Sequence, residues 1–223
     1  PICGSDLEIS KSGIDYFCHN DACPKRNIES LIHYVSRKAM NIDGLGERII
    51  EDFYNMGFIK KIEDIYDLKD KKTLLIELEG FGDKSVNNLI TSVENSKSNS
   101  LERLIFALGI NGIGEKNAKI LAKKYKNIDN LMKVSYEELN NIRDIGPILA
   151  KSIFEFFNNE ENIVLINNLK NIGVNMNYIG EDVVENVNFI NKKFVVTGTL
   201  KKYNRDEIKD IIENNGGPTS ESV

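Results

Sequence analysis

The sequence predicts a mostly α-helical chain of tandem repeats, and two observations carry that reading. A short phrase, glycine–hydrophobic–glycine, recurs as Gly44-Leu45-Gly46, Gly80-Phe81-Gly82, Gly112-Ile113-Gly114 and, with one substitution, Asp144-Ile145-Gly146. The copies lie 36, 32 and 32 residues apart, a period that marks a repeat architecture. The second observation is apolar periodicity on both sides of each copy. Before the turns stand Met40 and Ile42, Leu75 and Leu78, Leu108 and Ile110, and Leu139 and Ile142. After them come Ile50, Phe53 and Tyr54; Val86, Leu89 and Ile90; Ala118, Leu121 and Ala122; Ala150, Ile153 and Phe154. That spacing is one face of an amphipathic helix.

Each element of the phrase has a physical reason. Glycine permits positive φ and brings bare backbone to the surface. The central hydrophobe plugs the gap between two helices. What stays exposed is a helix N-terminus with unpaired N–H groups, which binds anions, phosphate among them. Each copy therefore reads as a helix-hairpin-helix, a unit that grips a nucleic-acid backbone without reading bases. The rival local reading is a tight turn between packed helices; four copies in register favour the grip.

The candidate DNA-binding residues are Gly44, Leu45, Gly46 and Arg48, then Gly80, Phe81, Gly82 and Lys84. They continue with Gly112, Ile113, Gly114 and Lys116, and end with Ile145 and Gly146. Arg48, Lys84 and Lys116 each stand two residues past the second glycine, behind Glu47, Asp83 and Glu115. The acids suit a helix N-terminus. The cations are either solvated surface or phosphate contacts, and their fixed place in three copies favours the second. In the fourth copy Asp144 either repels phosphate or caps the following helix, whose first turn suits Pro147.

A formal net charge of −5 and a pI near 5.3 argue against a nucleic-acid binder that works through a general basic field. They leave room for one that uses backbone N–H groups and a few placed cations. No stretch is apolar enough to span a bilayer and no signal peptide is seen. Three cysteines, an odd number, speak against a disulfide framework and for a reducing cytoplasmic setting. The chain does not begin with Met and is expected to be part of a longer one.

Residues 1–28 hold all the cysteines, Cys3, Cys18 and Cys23, with Gly4 and Pro24 beside them. They read as a small zinc module short of its first ligand. A cysteine just before Pro1 would complete the four thiolates that structural zinc takes. The three-ligand shell is expected to hold zinc weakly or not at all. His19 adjoins Cys18 too closely to share its metal without strain, and His33 reads as structural.

Residues 29–178 carry the four hairpins. Arg37 and Lys38 stand where a strand backbone could be contacted. Residues 61–79 look helical, with Ile62, Ile65, Leu68, Leu74 and Leu75 as core. The polar stretch from Ser92 to Ser100 divides the first pair of hairpins from the second. Leu101 to Leu108 is an apolar helix, and a last helix through Ile163, Leu165, Ile166 and Leu169 ends at Gly173. Residues 179–188 read as an acidic linker. In 189–223 the run Lys193-Phe194-Val195-Val196-Thr197-Gly198-Thr199-Leu200 is β-rich, with a helix from Arg205 to Asn215 behind it. The chain is expected to stop before a second strand, leaving this tail poorly folded or dependent on neighbours.

This order of modules resembles the bacterial NAD-dependent DNA ligases. The resemblance rests on a cysteine-rich zinc module, then Ser36-Arg37-Lys38-Ala39-Met40-Asn41-Ile42-Asp43-Gly44-Leu45-Gly46. It continues through Leu78-Glu79-Gly80-Phe81-Gly82, Leu104-Ile105-Phe106-Ala107-Leu108-Gly109-Ile110 and a fourth hairpin. Val196-Thr197-Gly198-Thr199-Leu200 is similar to the start of a BRCT domain. The departures are the absent first zinc cysteine, Asn111-Gly112 where the family often has a basic pair, and the missing later strands of the BRCT module.

The resemblance implies a ligase that seals a nick between a 5′-phosphate and a 3′-hydroxyl in replication and repair. NAD is the AMP donor, magnesium assists, and both bind outside these residues. No lysine in a Lys-x-Asp-Gly setting stands here, so this part has no catalytic residue. Its expected partner is duplex DNA, nicked and of any sequence, held by a monomer in the bacterial cytoplasm. Two rivals remain: a non-catalytic hairpin module of another repair protein, and a protein-docking module.

Overall fold

The computed structural model describes residues 2–9, 14, 16–18, 20, 22–180, 188–189, 192–198, 200, 202–203, 205–215, 217 and 219–220. His19, Thr199 and most of the expected linker, 181–187, lie outside the described residues. The chain divides after Tyr178 into two units.

The first unit opens with two three-residue strands, β1 (Leu7–Ile9) and β2 (Tyr16–Cys18), paired antiparallel with Leu7 opposite Cys18. Pro24, free of a helical N–H to lose, then starts α1 (Pro24–Val35). Its apolar stripe buries Ile28, Leu31, Tyr34 and Val35. The helices α2 (Glu47–Met56), α4 (Asp83–Ser96), α6 (Glu115–Tyr125) and α9 (Pro147–Asn158) each follow one copy of the repeated phrase. Their partners are α1, α3 (Lys72–Ile76), α5 (Leu101–Ala107) and α8 (Tyr136–Asn140). A short helix, α7 (Ile128–Leu131), joins the third hairpin to the fourth, and α10 (Glu160–Ile172) closes the set, ending on Gly173 at φ 94°.

The repeat is visible in burial. The residue four positions past each second glycine, Ile50, Val86, Ala118 or Ala150, is wholly buried. So are Phe53, Leu89, Leu121 and Ile153, one turn further. Each buried Val, Leu, Ile or Phe among them contributes about 1.5–3 kcal/mol by leaving water and each Ala less, so the stripe, rather than helix propensity, fixes these elements. Two sequence expectations fail at the edges of the stripe. Phe154 lies on the exposed side of α9. Leu74 is 55 % exposed, because residues 61–79 fold as two single turns of 3₁₀ helix and the short α3 rather than one continuous helix. The change of pitch rotates Leu74 away while Leu75 stays wholly buried.

Side chains bonded to backbone carbonyls lock the hairpins together. Arg103 on α5 donates through Nε to the Ala39 carbonyl at 2.8 Å and through its guanidinium to that of Arg37. Asn99 donates to the Met40 carbonyl at 2.7 Å. His33 Nε2 lies 2.7 Å from the Phe106 carbonyl, which ties α1 to α5. The segment after α10 stitches the middle of the unit. Asn175 N donates to Lys97 O at 2.8 Å, Ile128 N to Met176 O at 3.0 Å, and Leu101 N to Asn177 O at 3.1 Å.

Under the first two hairpins the buried hydroxyls of Tyr34 and Tyr66 meet at 2.8 Å. Burial first, and the neighbouring ring second, push Tyr34 well above the ordinary tyrosine range; burial also raises Tyr66. A folded-state pKa above the unfolded value means that this stability is whole below about pH 10 and is lost as pH rises beyond it. We expect the melting temperature to fall steeply in that alkaline window. Tyr34→Phe should remove part of the alkaline fall and cost about 1–2 kcal/mol at neutral pH. A melting temperature level from about pH 8 to pH 11 would refute the assignment.

The second unit pairs two-residue strands in parallel. β3 (Phe194–Val195) lies beside β4 (Thr219–Ser220), with α11 (Arg205–Asn214) between them in sequence. The expectation that the chain stops before a second strand is thus corrected. Thr219-Ser220 is too short and too polar to show a strand period, and only the ladder reveals it. Gly217 fits where a Cβ would meet the Phe194 ring at 2.7 Å, and Ile212 is buried.

Candidate nucleic-acid interface

The four phrases form four tips built to one plan. The first residue of each has left-handed backbone: Gly44 at φ 93°, Gly80 at 83°, Gly112 at 77° and Asp144 at 71°. An L side chain there costs about 1–2 kcal/mol, and Asp is one of the few that visit the region. The central hydrophobe turns inward; Leu45, Ile113 and Ile145 are buried, and Phe81 is half-buried against Phe53, with ring centres 5.5 Å apart. These four of the candidate residues therefore plug the hairpins and present only backbone outward. The second glycine is extended and caps the next helix. The carbonyls of Gly46, Gly82, Gly114 and Gly146 accept from Ile50, Val86, Ala118 and Ala150 at 2.9–3.0 Å.

No side chain accepts from the first N–H groups of α2, α4, α6 or α9. Gly46, Gly82, Gly114 and Gly146 are exposed, and a Cβ at any of them would meet nothing within 4 Å. Each tip thus offers backbone donors at the positive end of a helix, the arrangement that takes an anion. The tips are not equal. At the second, Gly82 N donates to Ser85 Oγ at 2.9 Å, so one donor is occupied. At the fourth, Pro147 removes another donor and Ile148, 80 % exposed, stands where the others place a cation.

Asp144 does not cap α9 as the sequence allowed; Gly146 holds that position. The left-handed turn aims the Asp144 carboxylate at the third tip instead, where Oδ2 lies 3.3 Å from Lys116 Nζ. Glu115 of that tip takes Lys38 at 2.6 Å. These two pairs join the third tip to the fourth and to the turn that follows α1 in the first hairpin. Asp43 N donates to Ser92 Oγ on α4 at 2.8 Å, joining the first hairpin to the second. Arg48 has only a distant partner, Asp52 at 3.9 Å. Arg37, Lys84 and Arg143 are exposed and have no acidic partner among the described residues. Acids stand beside the cations on every tip, Asp43 and Glu47, Glu79 and Asp83, Glu115, and Asp144, so the tips carry no basic field.

The three cysteine sulfurs gather at one end of the unit. Cys3 Sγ and Cys18 Sγ are 3.5 Å apart, and all three lie within 4.8 Å of one another. Zinc–thiolate bonds of about 2.3 Å in a tetrahedron set sulfurs about 3.8 Å apart, so three of four corners fit. Hydrogen bonds from the Ser5 side chain and backbone, then from Cys18, hold the Cys3 thiol down at about 6. A cavity of about 770 Å³ lies between this cluster, α1 and the third tip, formed by segments too far apart in the chain for any spacing to mark it.

The fold and its tips define a tandem helix-hairpin-helix protein. Residues 36–95 match the family model described as a SAM-like helix-hairpin-helix tandem, and residues 103–166 match that of the helix-hairpin-helix motif. Over its whole length the chain is a homologue of proteins named DNA ligase. It is 48 % identical to that of Mycoplasma capricolum, 46 % to that of Acholeplasma laidlawii and 42 % to that of Fusobacterium nucleatum. It spans about a third of the length of these curated relatives. No helix among the described residues is long and apolar enough to cross a membrane.

Proposed function

We propose that this chain is the DNA-gripping part of an NAD-dependent DNA ligase, which seals nicks between a 5′-phosphate and a 3′-hydroxyl. Four tips on one backbone plan, each with a glycine cap and no side-chain cap on the helix that follows, are the observation that carries the reading. Gly46, Gly82, Gly114 and their following N–H groups would hold backbone phosphates, with Arg48, Lys84 and Lys116 beside them. Contacts of that kind position a duplex and carry no sequence information, as a nick sealer requires. The adenylation chemistry, with NAD and magnesium, belongs to residues outside this chain. Cys3, Cys18 and Cys23 would supply three of the four ligands of a structural zinc ion, a shell that holds the metal only weakly until a fourth ligand completes it.

Binding to nicked and intact duplex across a salt series tests this. Each phosphate neutralised by a cation adds about 0.9 to the slope of log affinity against log salt. With few unpaired cations at the tips, a slope of roughly 2–4 is expected, shallower than that of a basic binder, and the same for unrelated sequences. Binding that ignores salt, or none at low salt, would turn the reading toward protein docking.

A further inference from the structure

The fourth tip departs from the other three in three ways, and all weaken a hold on phosphate. A carboxylate replaces glycine at Asp144, Pro147 deletes a donor, and Ile148 replaces the cation. Asp144 also keeps its left-handed backbone at φ 71°, a position where glycine would be less strained. Its carboxylate meets the cation of the neighbouring tip, Lys116, at 3.3 Å. The third tip packs closely on the fourth hairpin: a Cβ on Gly112 would stand 2.7 Å from Leu149 Cδ2 on α9.

We infer that the fourth tip moderates the grip rather than sharing it: Asp144 competes with DNA phosphate for Lys116 and keeps the third tip's hold weak. This rests on the DNA-gripping reading above. The pair is exposed, with Lys116 76 % and Asp144 47 % accessible, so a phosphate can displace the carboxylate. The consequence is a readily released complex, which suits a protein that must leave a duplex after use.

The test is a double-mutant cycle on the full 223-residue chain with Lys116→Ala and Asp144→Asn, read as affinity for nicked duplex. Asparagine keeps the local shape and tolerates left-handed backbone, and thermal melts check folding. Asp144→Asn is expected to tighten binding about three- to fivefold, the scale of an exposed charge pair. It should also steepen the salt slope by about 0.9, one cation's worth. Lys116→Ala should cost little in the wild type and about two- to threefold more in the Asp144→Asn background. Asp144→Asn binding no tighter than wild type, or losses that simply add, overturns the inference and leaves the grip standing. Wild type that fails to bind duplex at low salt overturns the grip and the inference together.

Discussion

Replacing Gly46 and Gly114 together by aspartate is expected to remove duplex binding and leave the chain folded. Both residues are extended helix caps with open space around them, so a side chain meets no obstacle and no strain. Aspartate is a better cap than glycine by a few tenths of a kcal/mol, so the melting temperature should hold or rise slightly. Its carboxylate would accept from the same N–H groups that phosphate needs and would repel phosphate as well. A charge-assisted hydrogen bond lost at each of two tips is worth about 1.5 kcal/mol or more, or roughly a hundredfold in affinity. Anisotropy titration beside thermal melting reads both quantities. Full binding by the folded double variant would make the tips scaffold only. Gly80 and Gly112 are poorer sites for this test, because any side chain there is strained and a Cβ on Gly112 also crowds Leu149.

Phe53→Ala should give the largest loss of stability, about 3–5 kcal/mol. Phe53 is almost wholly buried, and its ring packs 5.5 Å from both Phe58 and Phe81. Phe81 is the plug of the second tip, so the cavity opens directly beneath that turn. At roughly 2–4 °C per kcal/mol for a chain of this size, the melting temperature should drop by about 6–20 °C. A drop below about 3 °C would mean that the first and second hairpins do not share one core.

The interior of each hairpin was legible in the sequence because it is local. Helical spacing decides which side chains share a face, and the glycine at Gly44, Gly80 or Gly112 marks a turn that few other residues make cheaply. Residues such as Ile50, Leu121 and Ile153 could thus be named as core from their order alone. The three cysteines could be grouped by their neighbours Gly4 and Pro24, and their sulfurs do converge. The tie between α1 and α5 through His33 was out of reach, although its structural character was not.

What the sequence by itself determined is the repeated unit: turn, plug, cap and apolar stripe, each marked by residue type and helical spacing along a short stretch of chain. What only the tertiary structure decided is how the units meet. Arg103 reaching back to the Arg37 and Ala39 carbonyls, residues 175–178 stitching α4 to α6, and Lys116 facing Asp144 join positions distant in the chain. No spacing rule encodes such contacts, because they depend on how rigid helices dock. The role of Asp144 shows the difference. Read locally it either repels phosphate or caps a helix; placed by its backbone turn, its carboxylate meets the neighbouring tip.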